Sequence, residues 1–134
     1  MNNKQLGSKF ERDFCKVLAR LGYWVHFIAP DARGAQPFDV IAVKDGKAYA
    51  FDCKTSSTHR FNVNRIEDNQ HMAFMRWIKC GNGWPQLAVL YDDDVYLIPY
   101  HMFSDGNKVI DLDYEEEFVK GFKNYISQLE VKND

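Results

Sequence analysis

Apolar positions at the start of the chain recur every three or four residues. Leu6, Phe10, Phe14, Val17, Leu18 and Leu21 make one stripe, which predicts a helix from Lys4 to Leu21, ended by Gly22. Glu11 sits at the edge of that stripe, on a flank with Cys15 and Leu18. From there it can lean over the core boundary; an exposed helical glutamate is the plain alternative. The pattern then changes. Tyr23 to Ile28 is aromatic and β-branched and predicts a strand. Ala29 to Pro37, with Pro30, Asp31 and Gly34, predicts a loop that leads to Asp39.

Two apolar runs follow, Phe38 to Val43 and Ala48 to Cys53, interrupted by Lys44-Asp45-Gly46-Lys47. Asp-Gly between such runs predicts a hairpin with a two-residue turn, and the turn sets the register. Lys44 faces Lys47, Val43 faces Ala48, and so on down to Asp39 opposite Asp52. Directly opposed residues share a face of the sheet, with Cβ atoms roughly 5 Å apart. Lys54, two residues beyond Asp52, points the same way. Both runs are apolar on both faces, which suits a central, buried strand pair.

Downstream, Thr55 to Arg60 is polar and without periodicity: a segment that touches a nucleic-acid backbone, or a plain linker. A second helix is predicted from Arg65 to Lys79, capped by Asn64 with Glu67 as the capping-box acid. Ile66, Ala73, Phe74, Trp77 and Ile78 form its stripe, and Gln70 falls on the same stripe. A polar side chain at a core-facing position needs a partner. Leu87 to Tyr91 and Val95 to Pro99 predict a second hairpin around Asp92-Asp93-Asp94, three acids that resemble a metal cluster but fit a solvated turn better, since turns favour Asp. Glu115 to Leu129 predicts an amphipathic helix with Phe118, Phe122, Tyr125, Ile126 and Leu129 inward.

Composition narrows the class. With 134 residues, a single domain over residues 1–134 is expected, and the 46% hydrophobic content argues against disorder. No apolar run approaches the roughly 20 residues of a membrane span. Met1 to Gln5 lacks the apolar core of a signal peptide. Cys15, Cys53 and Cys80 show no ligand spacing and read as buried thiols of a reducing, cytoplasmic compartment. His26, His59, His71 and His101 are scattered, which argues against a zinc site. The net charge of −2 conceals an asymmetry: residues 1–80 hold 13 Lys/Arg against 8 Asp/Glu, and residues 81–134 hold 4 against 11. A basic surface beside paired acids suits a polyanionic substrate; ordinary surface charge with an acidic tail is the alternative.

The paired acids carry the chemistry. Like charges directly opposed destabilise a strand pair, and burying them costs more. A divalent cation between Asp39 and Asp52 removes the conflict, and Mg²⁺ takes such carboxylate oxygens. Arg33, in the loop before Asp39, is placed to meet a phosphate or to be merely solvated.

The order is helix with Glu11, strand, strand with Asp39, strand with Asp52-Cys53-Lys54, and helix with Gln70. This order resembles the PD-(D/E)xK nuclease superfamily, and within it the archaeal-type Holliday junction resolvases and their RecU-like bacterial relatives. Gly7-Ser8-Lys9-Phe10-Glu11-Arg12, Leu21-Gly22-Tyr23, Phe38-Asp39-Val40-Ile41-Ala42 and Ala48-Tyr49-Ala50-Phe51-Asp52-Cys53-Lys54 carry the likeness, and Phe61 to Gln70 resembles the family's entry into the helix after the hairpin. Three departures stand out. Phe38 rather than proline precedes Asp39, Asp52 stands where glutamate is usual, and no serine lies between Gly22 and Asp39.

The resemblance implies a restriction-endonuclease-like α/β core, in the order α-β-β-β-α-β-β with a C-terminal helix, its central mixed sheet flanked by helices. It implies a Mg²⁺-dependent endonuclease, with Mn²⁺ as substitute, acting on DNA four-way junctions as a homodimer. Glu11, Asp39, Asp52 and the Cys53 carbonyl are then the metal ligands. Lys54 and Gln70 complete the catalytic set, and Lys9, Arg33, Arg60 and Arg65 are candidate DNA contacts. Two alternatives remain at this level: a duplex-cutting restriction, repair or phage-type nuclease, and an inert nucleic-acid-binding module on the same fold.

Overall fold

The structure, a computed structural model, describes residues 1–30, 36–104, 106, 108–114, 120–121 and 125. Helix α1 spans Asn3–Arg20, and Asn2 caps it in a reciprocal box with Gln5. Phe10, Phe14, Val17 and Leu18 are its buried face, while Leu6 stays exposed. Gly22, at φ +94°, turns the chain out of the helix in a conformation that favours glycine.

Strands β1 (Trp24–Phe27), β2 (Val40–Lys44) and β3 (Lys47–Thr55) follow. The Asp45-Gly46 turn takes positive φ at both residues, 52° and 75°, as a type I′ turn requires. The register is the expected one: Lys44 pairs with Lys47, and the ladder runs down to Val40 opposite Phe51. There it slips. The Asp39 N–H donates to the Phe51 carbonyl at 3.0 Å, so Phe51 meets both Asp39 and Val40 and the predicted backbone pair of Asp39 with Asp52 does not form. Such a bulge is a way to re-aim a side chain at a strand end.

Strands β5 (Gln86–Tyr91) and β6 (Asp94–Pro99) form the second hairpin. Its tight turn is Asp92-Asp93, both at positive φ, and Asp94 already pairs with Tyr91. Strand β3 lies parallel to β5, and all other neighbours are antiparallel. The result is a mixed six-stranded sheet in the order β1-β2-β3-β5-β6-β8, with β8 (Lys120–Gly121) at one edge.

Alternate residues of the central strands feed two cores. Val40, Ala42, Phe51, Cys53 and Ala88 pack with α1. Ala50, Leu87, Val89 and Ile98 pack with Phe74 of helix α2 (Asp68–Lys79). Both faces of the sheet are thus covered, which explains the near-continuous apolar runs.

Several expectations are corrected. Helix α2 starts at Asp68, not Arg65, and its cap is Glu67 rather than Asn64. Val63–Arg65 is a single 3-10 turn whose cap, Asn62, accepts the Asn64 N–H. Ile66 is then extended (φ −90°, ψ 119°) and buried, so a tertiary demand for its side chain overrides local helix preference. Strand β4 (Arg60–Asn62) pairs with β7 (Val109–Asp111) in a separate two-stranded sheet, and a short helix α3 (His101–Ser104) follows β6. The continuous helix expected over Glu115 to Leu129 is interrupted by β8, which pairs with β6; Tyr125 is helical and buried, and the rest of that segment lies outside the described residues. Among the described residues, no helix is long and apolar enough to cross a membrane.

Candidate active site

The slip at Asp39 brings its carboxylate across to β3. Asp39 Oδ2 accepts the Cys53 N–H at 2.7 Å, and the Asp39 charge bears directly on the Asp52 carboxyl. The facing acids therefore remain neighbours although the backbone ladder has ended. Asp52 is fully buried. Its Oδ1 accepts from Gln70 Nε2 at 2.8 Å. Its Oδ2 lies 3.2 Å from Lys54 Nζ, yet makes no hydrogen bond. The distance permits one and the angles do not, so the Lys54 contact is a charge interaction that leaves this oxygen's lone pairs unused.

Gln70, at the third position of α2, is the hub. Its Oε1 accepts from the Glu67 N–H at 3.0 Å and from Lys54 Nζ at 3.3 Å. This partnership explains a polar residue on an apolar stripe.

Glu11 reaches the same place from α1. Burial first, then the charge of Asp39, pushes its carboxyl up from 4.5 to about 7, against the opposing pull of Lys54 and Arg12. Asp52 is also raised well above its ordinary range, by burial first and then by Asp39, with Lys54 opposing. Burial likewise raises the Cys53 thiol. Of the three thiols expected to be buried, only Cys53 is; Cys15 is half-buried and Cys80, just past the end of α2, is exposed. Glu11 and Asp52 both resist ionisation beside Asp39, and Asp52 keeps an unsatisfied buried oxygen; a divalent cation would complete this arrangement. Glu11, Gln36, Asp39, Asp52, Cys53, Lys54, Glu67, Asn69 and Gln70 line a polar cleft of about 210 Å³.

A family model described as archaeal Holliday junction resolvase (hjc) matches residues 2–130. The chain belongs to this family. The crossover junction endodeoxyribonuclease Hjc of Methanocaldococcus jannaschii is 32% identical over 107 residues, covering 78% of this chain and 75% of that protein. The solved structure of Archaeoglobus fulgidus Hjc, a Holliday junction resolvase from an archaeal hyperthermophile, matches with a TM-score of 0.63 at 18% identity, over 80% of this chain and 89% of that one. That likeness shows the fold. As a Holliday junction resolvase, the chain is an endonuclease, and family membership implies use of a divalent metal.

The structure brings all five expected catalytic residues of the resolvase, Glu11, Asp39, Asp52, Lys54 and Gln70, into one cleft, together with Cys53. Gln36, Glu67 and Asn69 also line it and are not singled out by the sequence. A capping signal does point to Glu67, but one helical turn out of place. Of the expected DNA contacts, Lys9, Arg60 and Arg65 do not line the cleft. Lys9 is ion-paired with Asp13 on α1, and Arg60 is exposed on β4. Arg65 donates to the Thr55 carbonyl at 3.0 Å and lies over the Phe61 ring. Arg33 falls outside the described residues.

Proposed function

We propose that this resolvase hydrolyses DNA four-way junctions with Mg²⁺, or Mn²⁺ in its place, held by Glu11, Asp39, Asp52 and the Cys53 carbonyl. The observation that carries the assignment is Asp52 Oδ2, buried, without a hydrogen bond and set beside Asp39. An all-oxygen donor set suits a hard cation. When bound, the ion supplies an activated water and stabilises charge on the leaving oxygen. Lys54, held between Gln70 Oε1 and Asp52 Oδ2, presents its remaining N–H donors to the scissile phosphate. Gln70 is a positioning residue that orients both Asp52 and Lys54. Lys9, Arg33, Arg60 and Arg65 hold the arms of the junction through backbone phosphates.

A junction needs two paired cuts, and a two-fold dimer supplies them. Trp24 and Phe27 leave apolar surface exposed on β1, the edge strand of the sheet, which supports a face for a second copy. The test is cleavage of a labelled four-way junction in Mg²⁺ or Mn²⁺, with linear duplex as control and light scattering to count subunits. Junction-selective cutting that disappears in Asp52→Ala and Lys54→Ala is the expected result. Undiminished cutting by both variants overturns the assignment.

A further inference from the structure

The small β4/β7 sheet gathers a second set of metal-ligating groups, away from the cleft. His59 enters β4, Asp111 ends β7, and Asp113 follows it. His59 Nδ1 lies 2.9 Å from Asp111 Oδ1 and 3.7 Å from Asp113 Oδ2. One donor atom from each of the three residues falls within 4.8 Å of the others. A cation with bonds of about 2.0–2.2 Å separates neighbouring donors by roughly 3–3.5 Å, so these spacings bracket what one ion requires.

The frame around them is built. The Leu112 N–H donates to the His59 carbonyl at 2.6 Å, locking the two segments together. Asp111 Oδ1 also accepts the Asp113 N–H at 3.0 Å. Tyr91, on β5 of the main sheet, donates its hydroxyl to Asp113 Oδ1 at 2.9 Å, which leaves Oδ2 as the oxygen nearer His59. An outer partner that orients a ligand carboxylate is the usual support of a metal site. The side chains are 37–53% exposed, so water can complete the coordination shell.

We infer that His59, Asp111 and Asp113 form a second cation site, for a first-row transition ion of the Zn²⁺ or Co²⁺ type, separate from the catalytic cleft. The imidazole sets the preference, because it favours such ions over Mg²⁺, whereas the cleft offers oxygen donors. Occupancy would join the β3–β4 connection to β7 and, through Tyr91, to the main sheet. It would therefore brace the segment that leads from Lys54 to α2.

The test uses the full chain carrying Asp39→Asn and Asp52→Asn, which removes the cleft as a competing site. Co²⁺ is titrated and followed by visible absorption and by the His59 imidazole resonances. One bound Co²⁺ with an imidazole ligand is expected. Adding His59→Ala or Asp113→Asn should weaken binding at least tenfold, and Tyr91→Phe about tenfold through lost orientation. Thermal melts in EDTA identify any variant that fails to fold; Asp113→Asn, at an exposed position, keeps the test available. Absent binding, or binding indifferent to both His59→Ala and Asp113→Asn, overturns the inference and leaves the catalytic assignment untouched.

Discussion

Gln70 donates to Asp52 Oδ1 at 2.8 Å while its own carbonyl oxygen takes the Glu67 N–H and Lys54 Nζ. The amide can sit only one way round. The Glu67 N–H and the Lys54 ammonium are donors only, so they claim Oε1, and the NH₂ group is left for the carboxylate. The first turn of α2 therefore sets the orientation of an acid and a base on β3.

Gln70→Glu separates this role from helix capping. Glutamate at the third helical position still accepts the Glu67 N–H, so the capping box survives. It no longer donates to Asp52 and adds a fourth negative charge. Cleavage of a four-way junction should fall by roughly 10–100-fold, matching the loss of a hydrogen bond to a charged group, about 1.5–3 kcal/mol. The Mg²⁺ requirement should shift while the far-UV circular dichroism stays the same. Unchanged single-turnover rates across a Mg²⁺ series would remove Gln70 from the site.

Asp52→Asn should trade activity for stability. The side chain is fully buried beside Asp39, and its charge is opposed by burial and by that neighbour. Asparagine keeps the shape and the oxygen that meets Gln70 but removes the repulsion. In EDTA the variant should be more stable by about 1 kcal/mol, which raises the melting temperature by roughly 4 °C for a chain of this size. Junction cleavage should vanish. A variant that melts lower than the parent in EDTA would show that the two acids do not oppose each other in the metal-free protein.

How far these relations were legible in the sequence depends on their range. The hairpin register follows from Asp45-Gly46 alone, because a two-residue turn leaves little freedom. Glu11 and Gln70 are legible as polar residues on or beside apolar stripes. The slip at Asp39 is not, since it arises from one backbone hydrogen bond to Phe51 and leaves the residue pattern unchanged. Glu67 is misplaced because the start of α2 depends on Ile66 reaching the core, a tertiary demand. His59 and Asp111 lie 52 residues apart, and only the pairing of β4 with β7 brings them together. The amphipathic pattern near Lys120 could not reveal that β6 has an open edge waiting there.

Phe14→Ala should damage fold and site together. Phe14 is fully buried, edge-on to Phe51 at 5.2 Å between ring centroids, and lies one turn after Glu11. Truncation removes the packing between α1 and β3 and should cost about 3–5 kcal/mol in urea unfolding. Below the melting temperature the surviving folded protein should still cut more slowly, because Glu11 is carried by the same turn. Phe14→Leu should cost less and recover most of the rate. If Phe14→Ala unfolds more easily but its folded fraction cuts normally, α1 does not position Glu11 through this contact.

The pH dependence should reverse sign with metal. Glu11 is raised from 4.5 to about 7, mainly by burial. A carboxyl raised in the folded state holds its proton there more tightly than in the unfolded chain. Its contribution to stability is full below about pH 4.5 and is lost as pH rises towards 7. Asp52, raised in the same direction, acts with it. In EDTA the melting temperature should therefore fall between about pH 4.5 and 7. A bound divalent ion needs the ionised carboxylates, so its binding strengthens over the same interval and releases protons. In saturating Mg²⁺ the stability lost in EDTA should be recovered as pH rises, and the two melting curves should diverge towards pH 7. Glu11→Gln should flatten the EDTA curve over that interval. Parallel curves with and without Mg²⁺ would mean that these carboxylates do not take up the ion.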